Sequence, residues 1–205
     1  MEKDKVAEAL KKLKGEAERN FDQTVDLIVN LKNYDQEDPV NFWVTLPNKV
    51  RDAKVCGFLE SESGVIDTVK GSEFKKYDKK KAKNLTKNYD FFIASGKLMP
   101  KVGKTFGRYL GPSGKMPSPQ HGLVRKESDD EIKKVVDRFD NIVRVKSEEP
   151  SVKIPVGKES YGEEEVAENA LAAYERIVKE LPNGKQNVKN VLVKLTMTKP
   201  IKLER

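Results

Sequence analysis

Apolar residues recur along this 205-residue chain with two different periods, and the period changes three times. Residues 24–32 alternate strictly, with Val25, Leu27, Val29 and Leu31 on one side and Thr24, Asp26, Ile28 and Asn30 on the other, which predicts a half-buried strand. Residues 188–197 repeat the pattern: Val191, Val193, Leu195 and Met197 share one face, Asn190, Leu192, Lys194 and Thr196 the other. Shorter alternating runs at 42–46, closed by Pro47, and at 151–156 predict further antiparallel strands, the first as a neighbour of 24–32. Helical spacing appears at 1–20, through Val6, Leu10, Leu13 and Ala17. It returns at 160–181, through Ala167, Ala170, Leu171, Tyr174, Ile177, Val178 and Leu181. There Ser160 and Glu163 have the spacing of a capping box, and Pro182, Asn183 and Gly184 supply the stop.

The middle of the chain is patterned differently. Residues 54–59 and 90–94 are apolar runs without alternation, separated by a Lys-rich helical stretch at 72–88, as in βαβ units whose sheet is covered on both faces. Residues 96–122, punctuated by Gly and Pro, read as a loop too long for a simple connector, either functional or mobile. A helix at 128–139, with Asp129, Asp130 and Glu131 in its first turn, and a strand at 142–146 follow. The expected fold is mixed α/β and α+β in two domains. Residues 1–50 and 150–205 form a split α+β two-layer sandwich, and 51–149 form an inserted Rossmann-like three-layer α/β domain.

Charge adds a direction. The formal net charge is +7, but the bases are segregated. Residues 97–126 hold seven bases and no acid, 70–87 hold eight Lys against Glu73 and Asp78, and 185–205 hold six bases against Glu204. Three such windows point to a polyanionic partner, and Lys outnumbering Arg 32 to 8 suits phosphate contacts more than base reading. One Cys and one His exclude an intrachain disulfide and a soft-ligand zinc site, and they leave Ser-His or Cys-His catalysis only His121. No run approaches the ~18–20 apolar residues of a membrane span. A cytoplasmic protein without catalytic residues, metal or cofactor is expected.

A nucleotide-dependent enzyme using the Gly-rich segment is the alternative. Its spacing fails: a phosphate loop ending at Gly103-Lys104-Thr105 needs Gly where Leu98 stands, and Gly114-Lys115 is followed by Met116. A second constellation joins the chain ends. If the strands at 24–32 and 188–197 share a sheet, Asn20, Phe21 and Thr24 meet Thr196 and Met197 at one rim. Hydroxyls and amides there can bond phosphate or ribose, and Phe21 and Met197 can pack on sugar or base. The plainer reading, that Phe21 and Met197 close off the core, stays open at this point.

Four segments carry a resemblance: FDQTVDL (21–27), GKTFGRYLGPSGKMPSP (103–119), PVGK (155–158) and QNVKNVLVKLTM (186–197). In this order they resemble the archaeal form of the universal large-subunit ribosomal protein numbered one, the family of the mobile stalk beside the tRNA exit site. The resemblance implies a terminal domain that grips a stem and internal loop of large-subunit ribosomal RNA through Phe21, Thr24, Thr196 and Met197, with Asn20, Lys153, Asn190 and Lys194 beside them. It also implies an inserted domain on two hinge strands whose Lys104, Arg108 and Lys115 are candidates to face departing tRNA. The free protein is expected to be a monomer, and repression of its own messenger RNA is a further implied role. Three positions depart from the family pattern: Thr198 stands where Gly is usual, Asn20 where Lys is common, and Ser113 where Arg is usual.

Overall fold

The computed structural model describes residues 3–16, 19–32, 40–119, 121–147 and 149–203. In chain order its elements are α1 (Lys3–Glu16), β1 (Thr24–Leu31), β2 (Val40–Thr45), β3 (Val55–Leu59), β4 (Asp67–Lys70), α2 (Lys79–Asn88), β5 (Phe91–Ser95), α3 (Met99–Ser113), β6 (Leu123–Val124), α4 (Asp129–Asp140), β7 (Ile142–Ser147), β8 (Ser151–Lys158), α5 (Glu163–Glu180), β9 (Val188–Leu195) and β10 (Ile201–Leu203). They divide into two compact units, Met1–Arg51 with Asn141–Arg205 and Asp52–Asp140.

The terminal unit is built on an antiparallel sheet of order β10-β9-β1-β8. Period-two alternation turns Val25, Leu27, Val29 and Leu31 of β1 inward with Val152, Ile154 and Val156 of β8 and Val191, Val193 and Leu195 of β9. Two helices cover that face: α1 through Val6, Leu10 and Leu13, and α5 through Ala167, Ala170, Tyr174 and Ile177. Ala17, expected on the α1 stripe, lies outside the described residues. Strand β2 does not pair with β1 as expected. It forms a two-stranded antiparallel ribbon with β7, from Val40 opposite Ser147 to Thr45 opposite Ile142, and turns Val44, Val143 and Val145 into the same core. Residues 142–147 thus belong to the terminal unit, although 51–149 was expected to form the inserted domain.

Helix α5 starts without a capping box. Its N-cap is Gly162, with no side-chain bond, and Ser160 instead bonds Asp22. Glu163, Glu164 and Glu165 complement the positive end of the helix dipole.

The inserted unit has a parallel sheet of order β4-β3-β5-β6, with α2 and α3 on one face and α4 on the other. Aromatic rings fill the first layer: Phe58 stacks on Phe92 at 5.5 Å between centroids and meets Phe74 edge-on at 5.7 Å and Phe106 at 4.9 Å. On the second face Phe91 stacks on Phe139 of α4 at 4.4 Å. Residues 96–122 are not the loop expected: the helix α3 takes up their first half. Pro100 sits in the first turn, where a missing N–H costs nothing, and Val102, Phe106 and Leu110 make a buried stripe at four-residue spacing. Pro112 falls in the last turn. Gly114 then ends the helix in the left-handed conformation (φ 65°), which favours glycine, and its N–H bonds Gly111 O.

Candidate nucleic-acid interface

At one end of the terminal sheet three segments are tied together by Gln23. Its parity continues the inward series Val25, Leu27, Val29, and its side chain is fully buried. Gln23 Nε2 donates to Glu159 Oε2 at 3.1 Å, Gln23 Oε1 accepts from Met197 N at 3.1 Å, and Gln23 O accepts from Glu159 N at 2.8 Å. The neighbouring Asp22 takes the Ser160 N–H (3.0 Å) and the Ser160 hydroxyl (2.8 Å), with Lys158 Nζ 3.8 Å away. Sequence reasoning assigned Gln23 no role; its inward parity was the signal.

Phe21 and Met197 stand on this frame, 52% and 60% exposed, and are the two exposed large hydrophobics among the described residues. The reading in which they close off the core is therefore overturned. Thr196 differs from expectation. Strand β9 ends at Leu195, and the Thr196 hydroxyl turns back on β1, accepting from Thr24 N (3.1 Å) and donating to Thr24 O (3.3 Å). Thr198, in the place usual for Gly, closes the same turn by accepting from Leu195 N at 2.9 Å and donating to Leu195 O at 3.4 Å.

The sheet face opposite the helices carries the other expected residues. Lys194 lies opposite Asp26, Lys153 opposite Ile28, and Asn190 opposite Asn30, whose Nδ2 donates to Asn190 Oδ1 at 2.7 Å. Lys153 is exposed and pairs loosely with Glu149 at 3.4 Å. Asn20 is exposed just before Phe21. The structure thus brings Phe21, Thr24, Thr196 and Met197 to one rim and sets Lys153, Asn190 and Lys194 on the adjoining open face.

In the inserted unit, Lys104 and Arg108 project from successive turns of α3 into solvent, in line with the exposed Lys101. Lys115 is committed elsewhere. Its ammonium donates to Thr86 O (2.9 Å) and Tyr89 O (2.7 Å), neutralising the carbonyl end of α2. Ser113, in the place usual for Arg, bonds the Tyr109 and Leu110 carbonyls at 3.0 Å each.

The crevice at the carboxyl ends of β3 and β5, where strand order reverses, is where doubly wound sheets hold nucleotides. Here a carboxylate fills it. Glu127 Oε2 accepts from Glu60 N (2.9 Å), Ser61 N (3.0 Å) and the Ser61 hydroxyl (2.9 Å). Burial pushes this carboxyl up, but the bonds from Ser61, Glu60 and Ser95 outweigh it and hold the group below the ordinary glutamate value. Negative charge at that point opposes a nucleotide phosphate, and the Gly-rich segment is helix rather than loop. Cys56 is buried, which pushes its thiol up to about 12. Among the described residues no group of three or more His, Cys, Asp or Glu is arranged for a metal, and no helix is long and apolar enough to cross a membrane.

A split α+β unit with an exposed apolar rim, interrupted by a parallel α/β unit, places the chain in a class of two-domain α/β proteins. The model of the ribosomal protein L1p/L10e family matches residues 10–199, and the chain belongs to that family. It is 35% identical over its full length to 99% of the large ribosomal subunit protein uL1 of Thermococcus kodakarensis. It is 37% identical, over 91% of this chain and 86% of the relative, to the protein of the same name from Thermofilum pendens. The Thermoplasma volcanium protein of that name is 34% identical over 97% of this chain and 94% of its own. The family is one of ribosomal proteins, not of enzymes.

Proposed function

We propose that this protein is a structural constituent of the large ribosomal subunit that holds large-subunit ribosomal RNA on the rim and open face of its terminal unit. The observation that carries the reading is the exposure of Phe21 and Met197 on a hydrogen-bonded frame, beside an open face bearing Lys153 and Lys194. Exposed apolar groups stack on sugar and base, and lysines neutralise phosphate. Asn190, with donors left after its bond to Asn30, and Asn20 add polar contacts. Thr24 and Thr196 act by fixing the sheet end.

The basic stripe of α3, Lys104 and Arg108, supports a second contact, with tRNA leaving the ribosome; Lys115 contributes by tying the end of α3 to α2. A fold in the protein's own messenger RNA resembling the ribosomal target would bind the same rim and repress translation.

The test is a footprint on total large-subunit ribosomal RNA with the full chain and its Phe21→Ala/Met197→Ala double variant. The wild type is expected to protect one compact stem-loop region. The double variant should lose that protection while keeping its melting temperature, because both side chains are exposed. Equal protection by both proteins would overturn the reading.

A further inference from the structure

The open face of the terminal sheet has an ordered chemistry. Across its strands Ile28 and Leu192 lie opposite each other at the centre, with Lys153 beside Ile28 and Lys202 beside Leu192. The next row toward the rim is Pro155, Asp26 and Lys194, and the row away from it is Ser151, Asn30 and Asn190. Asp26 is the one acid among these strand positions.

Among the described residues its carboxyl group has no hydrogen bond or close ion pair. It is half-buried on the central strand, and burial pushes its carboxyl up while the charge of Lys194 only partly offsets this. A carboxyl group short of both solvent and partners is an acceptor left open. It stands between cations that draw RNA phosphates, yet itself repels them. Phosphates therefore settle on Lys153, Lys194 and Lys202, and the RNA group above Asp26 must be a hydrogen-bond donor. RNA presents such donors as ribose 2′-hydroxyls and base amines.

Resting on the function proposed above, we infer that Asp26 is a specificity-determining residue, accepting a hydrogen bond from an RNA donor at the centre of the lysine-bearing face and excluding phosphate from that spot. Lysine contacts then give affinity for any RNA, while Asp26 rewards only an RNA that sets a donor over it.

The experiment measures binding of the full-length protein and its Asp26→Asn and Asp26→Ala variants to two RNAs, the ribosomal fragment footprinted by the wild type and a random sequence of equal length. Both variants are expected to bind the ribosomal fragment about tenfold or more weakly, the loss of one bond to a charged group. Both should bind random RNA as well as or better than the wild type, since a repulsive charge is gone. This opposition of sign separates recognition from bulk electrostatics. Unchanged melting temperatures are expected, because the Asp26 carboxyl has no partner among the described residues. Fragments with single 2′-deoxy substitutions, or with inosine in place of guanosine, identify the donor: the correct one erases the difference between wild type and variant. Variants that bind the ribosomal fragment as tightly as the wild type would overturn the inference. A wild type with no preference for that fragment would instead overturn the function on which it rests.

Discussion

Replacing Gln23 by Met keeps the length and approximate volume of the side chain and deletes its side-chain bonds to Glu159 and Met197. The bond to the Glu159 carboxylate, a hydrogen bond to a charged group, is worth about 1.5–3 kcal/mol, and the bond to the Met197 N–H about 1 kcal/mol. Burying an apolar chain in place of an amide returns part of this, so the terminal unit should lose about 2 kcal/mol. Trp43, the single tryptophan, lies on β2 of that unit, so its fluorescence reports that unit's unfolding in urea. With a slope of about 2 kcal/mol per molar, the midpoint should fall by about 1 M. The effect on RNA should exceed the effect on folding, because Phe21 and Met197 belong to segments that Gln23 and Thr196 join side to side. A midpoint unmoved by the substitution would refute the latch. A lowered midpoint with undiminished protection of ribosomal RNA would refute its link to the rim.

Other substitutions separate scaffold from surface. Lys115→Met should cost the inserted unit about 1–2 kcal/mol, seen as faster hydrogen exchange in α2, and leave the Trp43 transition where it was. Thr196→Val removes both bonds to the Thr24 backbone and should lower the terminal unit's stability by about 1 kcal/mol, read in the same urea titration. Glu127 titrates below the ordinary glutamate value of 4.5 when folded, so its stabilisation is present above that pH and is lost as pH falls through the lower folded value. Thermal unfolding between neutral and acid pH should therefore show Glu127→Gln less stable than wild type near neutrality, with the gap closing on acidification.

Much of the terminal unit was legible in the sequence, because a sheet with one covered face writes its burial as alternation: residues 24–31 and 188–195 are strands with the expected faces. The fully buried β3 and β5 were legible as unbroken apolar runs between turn signals. Helix α3 was not. Gly103, Gly107, Gly111 and Pro112 have poor helix propensity, and only the Val102, Phe106 and Leu110 stripe packed under Phe58 and Phe74 overrides it. Strands β4 and β10 are too short to show a period. At the site, the exposure of Phe21 and Met197 was beyond the sequence, since an apolar residue at a strand end suits a core or a ligand equally. The direction of the Thr196 hydroxyl was misread because alternation was carried past Leu195, where the strand has ended. Ser160 has the spacing of a cap, but Asp22, distant in sequence, competes for its hydroxyl.

Strand β1 lies between β8 and β9, so both of its neighbours follow it by well over a hundred residues in the order of synthesis. At roughly 5–20 residues per second, on the order of ten seconds or more separates the appearance of β1 from that of the strands that close its two edges. The unit Asp52–Asp140 draws its sheet from a single continuous stretch and is complete in the interval. The nascent chain thus has an imposed order of assembly, inserted unit first. Until β8 arrives, Val25, Leu27, Val29 and Leu31 form an unpaired apolar strand on a tethered chain, the segment most in need of shielding from self-association while the protein is being made.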